Sequence, residues 1–139
     1  QEKLEIDFDK PEELFVLTHS YIQGLQWVLH YYYDGVASWS WFYPYHYSPK
    51  IPDLNHIDLY EFHFELGEPF KPFEQLMGVL PELSSAHIPF AFRPLLTDSK
   101  SPIIDMYPNN FEMDMNGKKE DCIVKIPFLD QQRLLNAMK

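Results

Sequence analysis

The sequence predicts an α+β fold: a long buried N-terminal helix, an aromatic, proline-rich loop, then short strands and helices. Three observations carry that reading. Apolar residues recur at helical spacing from Leu14 to Tyr33. Pro44, Pro49 and Pro52 fall within nine residues and forbid a long regular element there. Beyond them, strand-like and helix-like stretches mix without a βαβ rhythm. The 139 residues read as a single segment, 1–139, enough for one domain and too few for two independent ones.

The elements follow in order. "LEIDF", Leu4 to Phe8, alternates apolar and charged residues at strand period. Asp9 is placed to cap a helix, Pro11 suits its first turn and Glu12 stands three residues after the cap. Asp9, Glu12 and Glu13 all favour the positive end of the helix dipole. Leu14, Leu17, Tyr21, Leu25, Val28 and Tyr32 form one apolar face. The opposite side, with Thr18, His19, Ile22, Gln26 and Leu29, is only partly polar, so burial on more than one side is expected. Gly24 costs about 1 kcal/mol against alanine in mid-helix, and a close approach by another backbone is the expected return. Asp34-Gly35 ends the helix.

The next stretch, to about Leu54, reads as an ordered loop. "IDLYEFHFEL", Ile57 to Leu66, is strand-like without clean alternation. A short helix is predicted from about Phe73 to Val79, with Pro72 near its start and Pro81 just past its end. "SSAHIPFAFRPLLTD" reads as turns with a single helical turn. "SPIIDMYP" and "FEMDMNGKKEDCIVKIPF" read as short extended pieces, with Asn116-Gly117 as a hairpin turn. "LDQQRLLNAMK" closes as a helix capped by Asp130.

Charge and composition exclude several functions. The formal net charge of −10 argues against a stand-alone nucleic-acid binder, which carries a basic footprint. No run approaches the roughly 18 to 20 apolar residues that span a bilayer, so no membrane partner is expected. "QEKLEIDFDK" is charged and alternating, unlike a secretory signal. The single cysteine, Cys122, allows no internal disulfide and anchors no zinc by itself, which suits a reducing intracellular compartment.

The carboxylates (Asp7/Asp9, Asp53/Asp58, Glu61/Glu65, Glu65/Glu68, Asp105, Glu112/Asp114 and Asp130) show no metal-ligand spacing and read as surface acids and caps. The six histidines form no HxxxH or HExxH pattern. There is no G-x-S-x-G elbow and no phosphate-cradling glycine loop. Cys122, beside Asp121, lacks the electropositive setting that activates a thiol. Nucleophilic catalysis by this chain alone is not expected.

One run stands apart. "HYYYDGVASWSWFYPYHYSP", His30 to Pro49, holds nine aromatic residues. A base stacked on an aromatic ring gains about 1–3 kcal/mol, whatever the base. Trp39 and Trp41 are two apart and would point the same way on an extended segment. The plainer reading is a core, because aromatic rings bury large areas. The residues alone leave both readings open.

The longer stretches are more specific. "SYIQGLQWVLHYYYDGVASWSWFYPYHYSPKIPDL", "FELGEPFKPFEQLMGVLP", "SPIIDMYP", "NGKK" and "IPFLDQQRLLNAM" occur in that order from about Leu14 to Met138. Together they closely resemble the second conserved region of the XRN family of 5′→3′ exoribonucleases. "SWSW" and the "FELGEPF" stretch look more like the cytoplasmic mRNA-decay branch than the nuclear one.

The resemblance implies a segment of a larger nuclease domain. Its enzyme would be processive and Mg2+-dependent, removing nucleotides one at a time from single-stranded RNA with a 5′-monophosphate. In such enzymes the metal ligands and the basic phosphate pocket lie in an N-terminal catalytic region that this chain lacks. The implied role here is therefore a wall of the active-site pocket and a base-stacking tryptophan, with no catalytic residue and no metal ligand, and the segment alone is expected to be inactive. Trp39 and Trp41 are the stacking candidates. Tyr43, Tyr45, His46 and Tyr47 would support the pocket, Pro44 and Pro49 would fix the loop, and Lys50 and Arg93 are candidate phosphate contacts.

The acidic charge is then no obstacle, because the basic RNA path would come mainly from the N-terminal region, and this acidic segment would pack against it. Two departures from the family pattern lie near the C-terminus: Cys122, near a position where members commonly carry tryptophan, and Gln131, in what is usually an acidic pair. Two other readings compete. The chain could be a non-catalytic module whose aromatic loop binds a protein partner, or a segment that does not fold stably alone because its rings need covering.

Overall fold

Proline in the first turn and two acids behind it start the longest element, α1, Pro11–Asp34. A computed structural model describes residues 6–7, 9–55, 61–109, 112–114 and 123–139, and these pack as two compact units, Gln1–Pro69 and Phe70–Lys139. The described residues are mostly helical. The α+β expectation is corrected accordingly: the described strands amount to one three-residue antiparallel pair.

In the first unit, the cap of α1 differs from the expected Asp9. Helical geometry begins at Pro11, so the N-cap is Lys10, which makes no side-chain cap bond. Glu13 reaches back instead, its Oε2 accepting from the Asp7 N–H at 2.8 Å, while Asp7 Oδ1 accepts from the Asp9 N–H at 3.0 Å. At the other end Gly35 takes φ 92°, a left-handed value that costs a residue without Cβ nothing, and its N–H donates to the Tyr31 carbonyl at 3.3 Å. The expected end at Asp34-Gly35 holds.

Burial on more than one side of α1 is not reached within this segment, where a single stripe of the helix is covered. Leu17, Thr18 and Ile22 are the buried residues of α1. Phe15, Val16, Leu25, Val28, Leu29 and Tyr32 are exposed. The aromatic loop meets α1 on the side of Tyr21, Gly24 and Trp27, through Tyr43, Trp41 and Ser38 respectively. Thr18 tolerates burial because its hydroxyl lies 3.0 and 2.9 Å from the Leu14 and Phe15 carbonyls of its own helix.

The loop after α1 is irregular, as its prolines predict, apart from a 3-10 turn at Ile51–Asp53. The "LEIDF" strand lies largely outside the described residues, as do residues 57–60 of the second strand-like stretch. Residues 61–66 run without strand pairing, although the Leu66 carbonyl accepts from the Trp39 N–H at 2.9 Å.

The second unit is built on short helices around an aliphatic core. They are α2 (Pro72–Val79), α3 (Arg93–Thr97) and α4 (Gln131–Ala137). Met77, Ile88, Leu96, Ile103, Tyr107 and Leu134 form the buried cluster. α2 starts one residue before the expected Phe73, and the Lys71 N–H donates to Glu74 Oε2 at 2.7 Å. Asp130 caps α4 as expected, Oδ1 accepting from the Arg133 N–H at 3.0 Å.

Two stretches are more helical than predicted. The "SSAHIPFAFRPLLTD" region folds as 3-10 turns, Glu82–His87 and Phe90–Phe92, running into α3. "SPIIDMYP" holds a 3-10 turn at Ile104–Met106 and is not extended. Ser101 fixes that turn: its hydroxyl donates to the Leu95 carbonyl at 2.7 Å, and the Ile104 N–H donates to its carbonyl at 3.3 Å. β1 (Glu112–Asp114) and β2 (Ile123–Lys125) pair antiparallel with Met113 opposite Val124. The Asn116-Gly117 turn between them lies outside the described residues, as does Cys122.

Candidate aromatic binding site

The aromatic loop is held on α1 through Ser38. Ala37 and Ser38 are buried, and the Trp27 Nε1–H donates to the Ser38 carbonyl at 2.9 Å. The Trp41 N–H donates to Ser38 Oγ at 3.2 Å, so one serine anchors the turn from both its backbone and its side chain. The Trp39 N–H bond to Leu66 ties the same turn to the 61–66 stretch. A buried carbonyl without such a partner would cost about 1–3 kcal/mol, so these bonds fix the path of the chain between the two tryptophans.

That path separates the rings. The "SWSW" turn is not extended, and Trp39 and Trp41 do not share an environment. Trp39 is 51% exposed. Trp41 is half-buried, edge-to-face with Phe64 at 6.2 Å between ring centroids and 89° between planes. The far end of its indole rests over Gly24: a Cβ built there would lie 2.9 Å from Trp41 Cη2. The close approach that Gly24 predicted is therefore made by a ring and not by a backbone.

Beside Trp41 opens a hollow of about 380 Å³ lined by Ser38, Ser40, Pro44, His63 and Glu65, with Phe42 and Phe64 completing its wall. It combines aromatic faces with hydroxyl, imidazole and carboxylate groups, which suits a flat ligand with polar edges.

Tyr43 braces the far side of the loop. Its hydroxyl donates to the Tyr47 carbonyl at 2.7 Å, and its ring meets Tyr21 of α1 edge-on at 5.8 Å and Tyr45 at 5.4 Å. Burial pushes the Tyr43 phenol up to about 12, helped by the neighbouring Tyr45 and Tyr21, so it stays a neutral donor at any physiological pH. Tyr45, His46 and Tyr47 are half-buried in the same loop and Pro49 is buried, whereas Pro44 is exposed at the edge of the hollow. Of the residues expected to support a pocket, Tyr43, Tyr45 and Tyr47 are joined to one another, whereas Pro44, expected to fix the loop, lines the hollow.

The two candidate phosphate contacts differ in kind. Lys50 is exposed next to the 3-10 turn, where its backbone N–H donates to Asp53 Oδ2 at 3.1 Å. Arg93 belongs to the second unit, where Nε donates to the Ile88 carbonyl at 2.9 Å and Nη2 to that of Ala86 at 3.0 Å. Its guanidinium also lies 5.8 Å from the Phe90 ring centroid. The arginine clamps its own turn with the donors that a phosphate would use.

Among the described residues, no three His, Cys, Asp or Glu side chains converge as a metal site would require. No helix of the described residues is long and apolar enough to cross a membrane. Gln131, one of the two departures, is the first residue of α4, beside the Asp130 cap. Sequence reasoning missed Trp27 and Ser38 as anchors and Phe64, His63 and Glu65 as lining. Trp27, Ser38, Phe64 and Glu65 lie inside the stretches that carry the family resemblance, but those motifs do not say which residues meet, because the roles arise where a loop and a later stretch cross one helix.

Comparison with known proteins bears on this arrangement. A family model described as the Xrn1 helical domain matches residues 1–139. The chain is 48% identical over 139 residues to "5'-3' exoribonuclease 1" of Homo sapiens, covering 99% of this chain and 8% of that protein. It is 49% identical over 140 residues to the protein of the same name in Saccharomyces cerevisiae, covering 99% of this chain and 9% of that protein. To "5'-3' exoribonuclease 2" of Schizosaccharomyces pombe it is 46% identical over 140 residues, covering 99% and 14%. The chain thus spans a small part of the curated relatives it matches, and relatives of both names match at similar identity.

Proposed function

The chain belongs to the Xrn1 helical domain family, and we propose from that membership that it works as part of a 5′→3′ exoribonuclease acting on single-stranded RNA with a 5′-monophosphate. Its contribution is a wall of the substrate pocket and a stacking platform. Bond cleavage, the Mg2+ that would activate water and shield phosphate charge, and most cations of the RNA path would belong to the N-terminal catalytic region of the intact protein. No step of the chemistry is routed through the residues described here.

Within that reading Trp41 is the platform and Trp39 the rim. The observation that carries this is the seat of Trp41: anchored at its backbone by Ser38, flanked by Phe64 and stopped by Gly24, beside an open hollow. A ring already immobilised loses little further entropy when a base lies on it. Trp39 is half exposed and serves the approach to the site. Lys50, exposed at the end of the loop, is the phosphate contact in this unit, while Arg93 braces residues 86–88. The site being cytoplasmic rests on the "SWSW" and "FELGEPF" motifs.

The test is RNA binding and decay by the intact protein. Trp41→Ala should weaken binding of 5′-monophosphorylated single-stranded RNA by about 1–3 kcal/mol, the value of one stacked base. Trp39→Ala should cost less. Unchanged binding and processive decay in both variants would remove the stacking role.

A further inference from the structure

We propose that Gly24 is a positioning residue for the stacking ring: the missing side chain in mid-α1 is the seat that sets the depth of Trp41. The inference rests on the reading of Trp41 as the platform, and adds a determinant on a different element, with no contact to RNA of its own.

Three observations support it. First, Gly24 pays the helix penalty without the usual return. It lies in the interior of α1, far from either end, where no positive φ calls for glycine. Second, the space above it is filled by one group. The three nearest atoms to a Cβ at this position all belong to the Trp41 ring, Cη2 at 2.9 Å, Cζ3 at 3.6 Å and Cζ2 at 3.8 Å. Third, the ring can yield only by a swing of its side chain. Its backbone is held by Ser38, and its plane stands perpendicular to Phe64 at 6.2 Å.

A methyl group at position 24 must therefore move something. The helix backbone is locked by its own hydrogen bonds, whereas the indole swings on two side-chain dihedrals, so the ring moves. It tilts out over the hollow and away from the geometry in which a base meets it face to face. Helix propensity works in the opposite direction, because alanine is the better helix former. Gly24→Ala should thus leave α1 at least as stable while impairing the platform, which separates positioning from folding.

The experiment uses the intact protein and four variants: Gly24→Ala, Trp41→Phe, the two combined, and Trp41→Ala. RNA affinity is measured with 5′-monophosphorylated single-stranded RNA under chelator, and KM and kcat are measured with Mg2+. Indole NMR signals report the ring. Gly24→Ala should shift the Trp41 ring signals, leave the thermal transition unchanged or higher, and raise KM and the RNA dissociation constant about fivefold with kcat nearly unchanged, a fraction of the effect of losing a stacked base. Phenylalanine lacks the distal ring atoms that meet position 24. In the Trp41→Phe background the alanine should therefore have no further effect, and this non-additivity is the signature of acting through the ring.

If Gly24→Ala weakens binding equally in both backgrounds, or leaves the Trp41 signals in place, the inference is overturned. If Trp41→Ala itself leaves binding unchanged, the platform reading fails; a ring shift in Gly24→Ala would then identify the seat as structural only, and the positioning role falls with the platform.

Discussion

The two units of the chain use their apolar residues in opposite ways. In the second, Met77, Leu96, Ile103 and Leu134 are wholly buried, and short helices converge on them. In the first, the buried hydrophobic residues among those described are Leu17, Ile22 and Ala37, accompanied by two polar residues, Thr18 and Ser38. What holds the first unit together is a set of pins: Trp27 to Ser38, Trp41 to Ser38, Trp39 to Leu66 and Tyr43 to Tyr47. A core consumes apolar surface. A pinned loop leaves its rings half open, and those rings remain available to a ligand or to the rest of a larger protein. The difference accounts for why the aromatic residues crowd one end of the sequence and the buried aliphatic residues the other.

The comparison breaks first where the core is cut. Leu134→Ala removes a fully buried side chain of the second unit and should cost about 2–5 kcal/mol. Tyr32→Ala removes a ring that is 78% exposed and should change stability by about 0.5 kcal/mol or less in the absence of a covering partner. Hydrogen exchange in the intact protein reads both, since each unit reports through its own amides. If Tyr32→Ala proves as costly as Leu134→Ala, α1 is covered by another part of the protein, and the exposed face of this helix is an internal interface.

The next largest effect lies in a pin. Trp27→Phe keeps a ring against the loop but deletes the donor to the Ser38 carbonyl. Ser38 is buried, so that carbonyl is left without its partner at about 1–3 kcal/mol. Amides of residues 37–41 should lose protection while those of α2 and α4 keep theirs. Equal loss in both units would mean that the pins are not local.

Much of this division was legible in the sequence. The ends of α1 and α2 follow from Pro11, Gly35, Pro72 and Pro81, because proline and glycine act on the backbone locally. The Asp130 cap follows for the same reason. The inward face of α1 did not follow. Leu25, Val28 and Tyr32 continue an apolar periodicity as well as Trp27 and Gly24 do, and which stripe turns inward is decided by where the loop lies. The 3-10 turns around Ile88 and Ile104 escaped because closely spaced prolines permit both extended and tight-turn geometry, and side chains such as Ser101 decide between them. At the candidate site the rings were legible as a class. Their separation into an exposed Trp39 and a seated Trp41 was not, since it depends on Ser38 and on the distant Phe64 and Gly24.

The same phenol chemistry is found in both units and sharpens the comparison at high pH. Tyr43 donates to the Tyr47 carbonyl and Tyr107 to the Met77 carbonyl, each at 2.7 Å. Burial pushes both from the ordinary 10.0 to about 12. Below 10.0 both folded and unfolded phenols are neutral, and the stabilisation is complete. Between 10.0 and about 12 the unfolded phenol ionises first, so stability falls as pH rises through that window. Tyr107→Phe and Tyr43→Phe should each flatten the alkaline loss in their own unit. Near neutral pH the Tyr107 change should cost more, within about 0.5–1.5 kcal/mol, because Tyr107 is buried beside the core. Absorbance of the phenolate band in the single variants separates the two titrations.

The smallest expected effect is on the surface of the second unit and runs in the opposite pH direction. Arg133 grips Asp105 with both ends of its fork, Nη1 to Oδ2 at 2.9 Å and Nη2 to Oδ1 at 2.7 Å, and Nη2 also donates to the Pro102 carbonyl at 2.6 Å. These bonds hold the Asp105 carboxyl below its ordinary 3.8, first through the hydrogen bonds to Arg133 and then through its charge. Above 3.8 the carboxylate is ionised whether the chain is folded or not, and the clasp is fully present. As pH falls below that value, the unfolded carboxylate takes up its proton first, and the clasp is lost as pH passes the lower folded value. Both side chains are open to solvent, so salt should blunt the effect. Asp105→Asn should remove this part of the acid dependence, seen as loosening of α4 against residues 101–107. Arg133→Lys should do nearly the same, because an ammonium cannot make the paired bonds. If Arg133→Lys behaved like the native chain, charge alone would join α4 to that turn, and the second unit would depend on its aliphatic core still more completely than the geometry of the clasp implies.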